Sequence, residues 1–375
     1  MQRQQLVFFL LLGVVSCTGR VPRSLGPLRE VTVISDYWPI VARTVEGILT
    51  REIRTPQPEP EFRLRVGGFD RFNALYRLRL VFLIGTSQDT LLRRILGDKL
   101  DSLPENNFGL FKFPNAWVDN QWVLVFIAAD TANLVPGLIL YAQRIHQTVT
   151  EMVIDQLNRA TYLRGGEKEL TAKLSGQFFW TIDVPRGWRL QDKDSVERFV
   201  YIFTHDPDRS IFVYWEDSTR ELDWESRLDL RDRLTGRFYG GDSADRAIVL
   251  IDTIQFLGVP TLRVRGVWQN RRAILGGPFV FYAFNYQGRF FMVDGLVFNP
   301  GEKKLSSLFQ VEAIIRTFLP TGMLKGELIN PIGPVGLSAP HENWVDDGDV
   351  VFENPGDLTF GVAQFLGADE RFVIE

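Results

Sequence analysis

Few residues in this sequence have types and spacings that suggest chemistry. The most site-like stretch is Gly276-Gly277-Pro278-Phe279, with Trp268, Arg263 and Arg265 shortly before it. Glycine permits positive φ and a close backbone approach, so this stretch is expected to seat a ligand or partner strand against Trp268. The competing reading is a bulge or strand entry, where Pro278 sacrifices no ladder hydrogen bond. Trp117, Trp122, Trp180, Trp188, Trp215, Trp224, Trp268 and Trp344 supply either an aromatic groove for sugar or lipid, or ordinary core filling. His146, His205 and His341 lack ligand-spaced partners, and His341 with Asp346, Asp347 and Asp349 fits no calcium-loop template. No metal and no cofactor are therefore expected. There is no Gly-x-Ser-x-Gly elbow, phosphate-binding glycine loop or His-Glu-x-x-His motif. Carboxylates are plentiful, but only a fold can bring two of them into an acid–base pair. Asp223, Glu225, Asp229 and Asp232 with Arg227, Arg231 and Arg233 read as an ion-paired helix face. Nothing in these residues requires an enzyme.

Cys17 is the only cysteine. It ends a short apolar run, 6–17, that follows Arg3 and is too short to span a bilayer as a permanent helix. Val14-Val15-Ser16-Cys17 resembles the bacterial lipobox, in which the cysteine is diacylated, the leader is cut before it, and the new amino end is acylated again. One acyl chain binds a membrane marginally, whereas two or three hold a folded domain there. The expected segments are thus a signal peptide over 1–16 and a lipidated tether over 17–28, the latter carrying Gly19, Pro22, Gly26 and Pro27. Once Cys17 carries palmitate-type chains, no thiol remains for a disulfide, a nucleophile or a metal. No acidic cluster follows Cys17, which points to a protein facing the periplasm, on the outer membrane.

The chain of 375 residues is 45% hydrophobic and 13% aromatic, enough to bury a real core. Its net charge of −4 argues against nucleic acid as a partner. That charge is uneven. From Thr321 onward ten acidic residues face only Lys325 and Arg371, so this segment carries −8 and the remainder +4. An asymmetry of this kind marks an appended acidic extension, 320–375.

The elements that must position these residues fall into two sets. Over 29–165, strands near 30–34, 62–66, 78–84 and 121–128 alternate with helices. The first helix has a Ser35-Asp36 cap, another runs over 89–96, and a long one covers 138–162. Thr55-Pro56-Gln57-Pro58-Glu59-Pro60 reads as an extended prolyl link. This is an N-terminal mixed α/β sandwich domain. Over 172–319, strands near 199–204, 210–215, 248–257, 261–268, 280–286 and 289–298 form an antiparallel meander, with helices over 224–234 and 306–318. The fold class expected is α+β, with a domain junction near Arg164-Gly165-Gly166.

The order and spacing of Val184-Pro185-Arg186-Gly187-Trp188, Gly266-Val267-Trp268, Gly276-Gly277-Pro278-Phe279 and the closing Glu312-Ala313-Ile314 helix resemble the uncharacterised bacterial envelope lipoproteins grouped as domain of unknown function 4837. The resemblance runs from the lipobox to about Leu319 and stops short of the acidic extension. It implies a cell-envelope location and no catalytic residue, because the family has no assigned activity. The second half is also similar to a PsbP-like sandwich, a likeness of fold that does not fix function. The function expected is binding or scaffolding, with the membrane as one partner through acyl chains on Cys17 and an envelope protein as another. Two alternatives stand beside it: an envelope-polymer hydrolase using carboxylates gathered at the domain junction, and a solute-binding lipoprotein that closes between its domains.

Overall fold

The first half is built on a short β-branched run, Glu30–Ile34 (β1), buried on both sides as a central strand of a parallel sheet must be. A computed structural model of the protein describes residues 21–100, 108–178, 180–194, 198–270, 272–320 and 350–351. Cys17 with its lipobox, His341, Trp344 and nearly all of the acidic extension lie outside the described residues. After β1, helix α1 (Trp38–Leu49) buries Val41, Val45, Ile48 and Leu49. Its N-cap is Tyr37, with no side-chain bond, rather than the expected Ser35-Asp36. Both side chains are used locally: Ser35 Oγ accepts from the Tyr37 amide, and Asp36 Oδ1 accepts from the Phe69 amide at 2.7 Å.

The prolyl link is a hairpin, β2 (Glu52–Arg54) against β3 (Pro58–Pro60), where proline is tolerated because two-stranded pieces have open edges. There follow β4 (Arg63–Gly67), α2 (Phe72–Leu75), β5 (Leu80–Thr86), α3 (Thr90–Leu96), β6 (Phe108–Pro114) and β7 (Trp122–Ala128). Strands β4, β1, β5 and β7 lie side by side and parallel, β6 runs antiparallel beside β7, and Val350–Val351 (β17) caps that edge. The long helix begins earlier than expected and breaks at Tyr141 into α4 (Leu134–Leu140) and α5 (Ala142–Thr161). The break lets the buried Tyr141 ring meet Phe126 edge-on at 5.9 Å.

The second half opens with α6 (Lys168–Gln177) and β8 (Trp180–Thr181). A seven-stranded antiparallel sheet follows from β9 (Arg189–Asp194), β10 (Phe199–Thr204), β11 (Asp208–Glu216), β12 (Ser243–Phe256), β13 (Val259–Asn270), β14 (Leu275–Tyr286) and β15 (Arg289–Phe298). Their order is β12-β13-β14-β15-β11-β10-β9. Two hairpins turn at Leu257-Gly258 and Gln287-Gly288, each with positive φ at both residues, as the right-handed strand twist demands. Helix α7 (Trp224–Phe238) covers one face of the sheet and α8 (Leu305–Ile315) the other, and β16 (Leu319–Pro320) returns to pair with β8. The fold is α+β, with flanking helices on an antiparallel sheet.

The two halves are not separately cored. One apolar cluster runs from Val33, Phe82 and Phe126 of the first sheet through Val149 and Val153 of α5 into Val311, Ile314 and Tyr282 of the second half. Helix α5 packs along α8, so the second sheet's α8 face is closed by the first half of the chain.

Candidate functional site

Alternation along β13 decides where its functional side chains go. Leu262, Val264 and Trp268 point to the α7 face, while Arg263 and Arg265 point to the α8 face and the first half of the chain. Residues adjacent in sequence are therefore split between two separate polar clusters.

The α8-face cluster is a buried ion network at the junction of the two halves. Glu61, just after the β2–β3 hairpin, is fully buried, and its Oε2 accepts from Arg51 Nε at 2.5 Å and meets His146 Nε2 at 2.7 Å. Arg265 Nη1 lies 3.6 Å from Glu61 Oε1, while its Nη2 donates to Glu312 Oε2 on α8 at 2.7 Å. Glu312 further accepts from Arg263 at 3.2 Å and from the Tyr282 hydroxyl at 2.8 Å, with Arg316 at 3.4 Å. Arg263 in turn holds Asp252 at 2.9 Å. A second bond ties the halves nearby: Glu59 Oε1 accepts from the Lys304 and Leu305 amides at 2.7 and 3.1 Å, capping α8 from the other end of the chain. Helix α8 has no side-chain cap of its own.

The electrostatics follow from this geometry. Burial alone would raise the Glu61 carboxyl, but the His146 hydrogen bond and the charges of Arg51 and Arg265 hold it well below the usual carboxylate range, while burial lowers His146 itself. Glu312 behaves likewise, with Arg265, Arg263 and Arg316 overcoming burial. Both are held as anions, although Glu61 Oε1 has no hydrogen-bond partner and meets Arg265 Nη1 only at 3.6 Å.

The α7-face cluster is the opposite case. Arg231 of α7 and Asp294 of β15 are both wholly buried and joined by a single 2.6 Å bond, with the guanidinium 3.7 Å from the Phe279 ring centroid. Asp294 Oδ1 and both terminal nitrogens of Arg231 find no hydrogen-bond partner. Burial therefore raises Asp294 to about 6, more than Arg231 restores. The expected ion-paired helix face is corrected here. Arg231 and Arg227 turn into the core between Leu228 and Leu234, Asp229 and Asp232 bind Arg246 of β12, and Asp223 caps the helix through the Ser226 amide.

The two clusters give stability opposite dependences on pH. Depressed Glu61 and Glu312 contribute stability that is complete above the unfolded value of 4.5 and lost as pH falls below it. Raised Asp294 contributes at low pH and withdraws that contribution as pH climbs from 3.8 through about 6. Urea midpoints are thus expected to peak between about pH 4.5 and 6. Asp294→Asn should abolish the loss between pH 5 and 7, on the order of 1–3 kcal/mol, while leaving the acid limb in place. An Asp294→Asn profile parallel to the parent's would show the assignment to be wrong.

The glycine-rich stretch is regular ladder. Pairing from Thr261↔Phe284 to Asn270↔Leu275 has no register shift, so of the competing reading, a bulge or a strand entry, the structure shows the entry, β14 beginning at Leu275. The close approach is made by the chain itself. A Cβ on Gly277 would stand 1.9 Å from the Val297 carbonyl oxygen, and one on Gly276 would stand 2.9 Å from the Trp268 carbonyl oxygen. Trp268 is buried and its indole N–H donates to that same Val297 carbonyl at 3.2 Å. Pro278 pairs with Val267, and Phe279 lies beneath Arg231. The space beside the glycines is thus occupied by β15 and Trp268.

Of the tryptophans, Trp180, Trp188, Trp215 and Trp268 are buried in the core, and Trp117, Trp122 and Trp224 are partly so. Trp122 donates to Asp155 at 2.8 Å. His205 lies in an exposed turn, 2.6 Å from Asp208. No group of three His, Asp or Glu suited to a metal occurs among the described residues. The carboxyl ends of β1 and β5, where open α/β sheets form their crevices, hold Tyr37, Thr86 and Asp89. These bind one another: Asp89 Oδ1 accepts from the Tyr37 hydroxyl at 3.0 Å, and its Oδ2 accepts from the Thr86 amide at 2.6 Å. No helix among the described residues is long and apolar enough to cross a membrane.

Residues 167–317 match the family model described as domain of unknown function (DUF4837), a narrower span than the expected one from the lipobox to Leu319. No curated protein matches the chain. Among solved structures, a protein of Bacteroides thetaiotaomicron is 10% identical over 40% of this chain and 47% of its own, with a TM-score of 0.25. This chain thus spans about half the length of that protein. Cyanobacterial PsbP of Synechocystis is 11% identical over 38% of this chain and 86% of its own, with a TM-score of 0.28. LpqN, involved in cell envelope biogenesis of Mycobacterium tuberculosis, is 16% identical over 38% and 83%, with a TM-score of 0.25.

Proposed function

We propose that this protein, whose residues 167–317 belong to a family of unknown function, is a lipid-anchored cell-envelope protein that works by binding or scaffolding rather than by catalysis. The observation that carries this reading is the arginine-saturated junction. Glu61 and Glu312 are the most deeply buried of the carboxylates that the fold gathers between its halves, beside Asp252 and Glu151. Yet Arg51, Arg263, Arg265 and Arg316 hold them ionised. A general acid must carry a proton at working pH, and neither residue does. The shared apolar core and the Glu59 cap on α8 also argue against a hinge of the kind that closes on a solute.

The anchor rests on Val14-Val15-Ser16-Cys17. Two or three acyl chains would keep the folded body at a bilayer surface and raise its local concentration near an envelope partner. Mass spectrometry of membrane-extracted protein beside a Cys17→Ala variant, with affinity capture from both, tests this. The wild type is expected to carry the mass of acyl chains at Cys17 and to fractionate with membranes. The variant should lose that mass, leave the membrane fraction almost entirely and fail to retain the partner. An unmodified Cys17 in the wild type would end the anchor reading.

A further inference from the structure

We propose that the cavity between α2, α3 and the end of β6 is a binding site for a small aromatic carboxylate, with Arg94 taking the anion and Phe72 and Trp117 taking the ring. The cavity has a volume of about 610 Å³, within the range of about 300–1,000 Å³ that small-molecule sites occupy. It lies on the face of the first sheet that is packed by residues of the first half alone, opposite the face that shares its core with the second half. It therefore belongs to neither ion cluster described above.

Helix α3 supplies one wall. Leu92 and Leu96 are buried against the sheet, which turns Leu91, Arg94 and Ile95, at three- and four-residue spacing, to the cavity. Phe113 of β6 lines it from the sheet side, and Trp117 from the loop after β6 meets Phe72 of α2 edge to face at 5.2 Å. These rings are set before any ligand arrives. The buried Gln121 accepts from the Trp117 amide at 3.2 Å and donates to the Leu78 carbonyl at 2.8 Å, which ties the Trp117 loop to the chain after α2. Tyr76 stacks on Phe72 at 5.8 Å and meets Trp117 edge-on at 6.1 Å. A site held in this way costs little ordering when it binds. The charges then select the ligand. Arg94 and Lys99 line the cavity, and no Asp or Glu does among the described residues. The Lys99 ammonium lies 5.6 Å from the Phe113 ring centroid, so its charge sits over an apolar wall. Arg94 is exposed, and its planar guanidinium can take a carboxylate through two parallel hydrogen bonds. Three aromatic side chains favour a rigid ring, whose edge meets their faces, over a flexible chain that loses rotamer freedom on entering. Pro114 and Ala116, which also line the cavity, are exposed, so a ligand can enter from solvent.

The test is calorimetric titration of the full chain carrying Cys17→Ala, prepared without detergent so that no amphiphile competes. The probe is naphthoate, with naphthalenemethanol as its uncharged counterpart and cyclohexanecarboxylate as its non-aromatic one. Naphthoate is expected to bind about tenfold more tightly than either, or better. Arg94→Ala alters an exposed side chain outside the core, and should weaken naphthoate about tenfold while leaving the affinity for the alcohol as it was. Ile95→Trp, which fills the cavity, should abolish the binding of both. No binding of naphthoate up to its solubility limit overturns the proposal. So does naphthoate binding that Arg94→Ala leaves unchanged, or an alcohol that binds as tightly as the anion. Cyclohexanecarboxylate binding as tightly as naphthoate would make this a site for aliphatic anions and overturns the aromatic assignment.

Discussion

Glu312→Ala is expected to lower the free energy of unfolding by about 3–5 kcal/mol, the cost of breaking a buried ion pair by removing one partner, read from urea denaturation at pH 7. Glu312 is 1% exposed and receives Arg263, Arg265, Arg316 and Tyr282 at once. Removing it leaves Arg263 with Asp252 alone, at 2.9 Å, and Arg265 with Glu61 alone, at 3.6 Å. The penalty comes from buried cations left with too little counter-charge, not from the value of the intact network. Glu312→Gln should cost less, since its amide oxygen still accepts from Tyr282. A loss below about 1 kcal/mol for the alanine variant would mean that water reaches the junction and that the two halves part more readily than their shared core implies.

Gly277→Ala carries the other large effect. The new methyl would stand 1.9 Å from the Val297 carbonyl oxygen, and that obstacle is backbone, which cannot rotate away. Strand β14 or β15 must shift, and the indole bond from Trp268 to the same carbonyl is disturbed with it. Overpacking of this kind costs typically 1–3 kcal/mol and sometimes more, with about 1 kcal/mol for the weakened hydrogen bond. A fall in Tm of roughly 6–12 °C is therefore expected by calorimetry. Gly258→Ala, at a hairpin turn with positive φ and nothing within 4 Å, should cost less. The experiment also separates two roles for the stretch. A ligand seat would tolerate Gly277→Ala in stability while losing binding; a packing seat for Trp268 loses stability first.

Apolar patterning was a good guide to the regular elements. The apolar face of α1 repeats at 3.6 residues, while β1, β5, β7 and the central strands of the meander, buried on both faces, are legible as short continuous apolar runs bounded by turns. Less regular elements escaped. Strand β6 is interrupted by Gly109 and ends at Pro114, and α6 buries only Leu174, so neither shows a period. The prolyl link hid a hairpin because proline suppresses the usual strand signature. In α7 charge misled: Arg231 occupies a core position at helical spacing from Leu228 and Leu234, and its spacing, not its type, signals burial.

The sites were less legible than the elements, for a different reason. Arg263, Arg265 and Trp268 look like one group in the sequence, yet odd and even positions on one strand face opposite ways. Glu61 and His146 are 85 residues apart, and Glu59 and Lys304 are 245 apart, so no local spacing announces either contact. By itself the sequence determined the α+β class, the single thiol at Cys17 and the charge split that sets the acidic extension apart, since these depend on local periodicity, on composition and on one short motif. Tertiary structure alone decided that the gathered carboxylates are bound by arginines, that the glycines admit a neighbouring strand, and that both halves share a core. Each of these depends on which distant surfaces bury one another, and burial sets both the charge state and the space that a side chain finds.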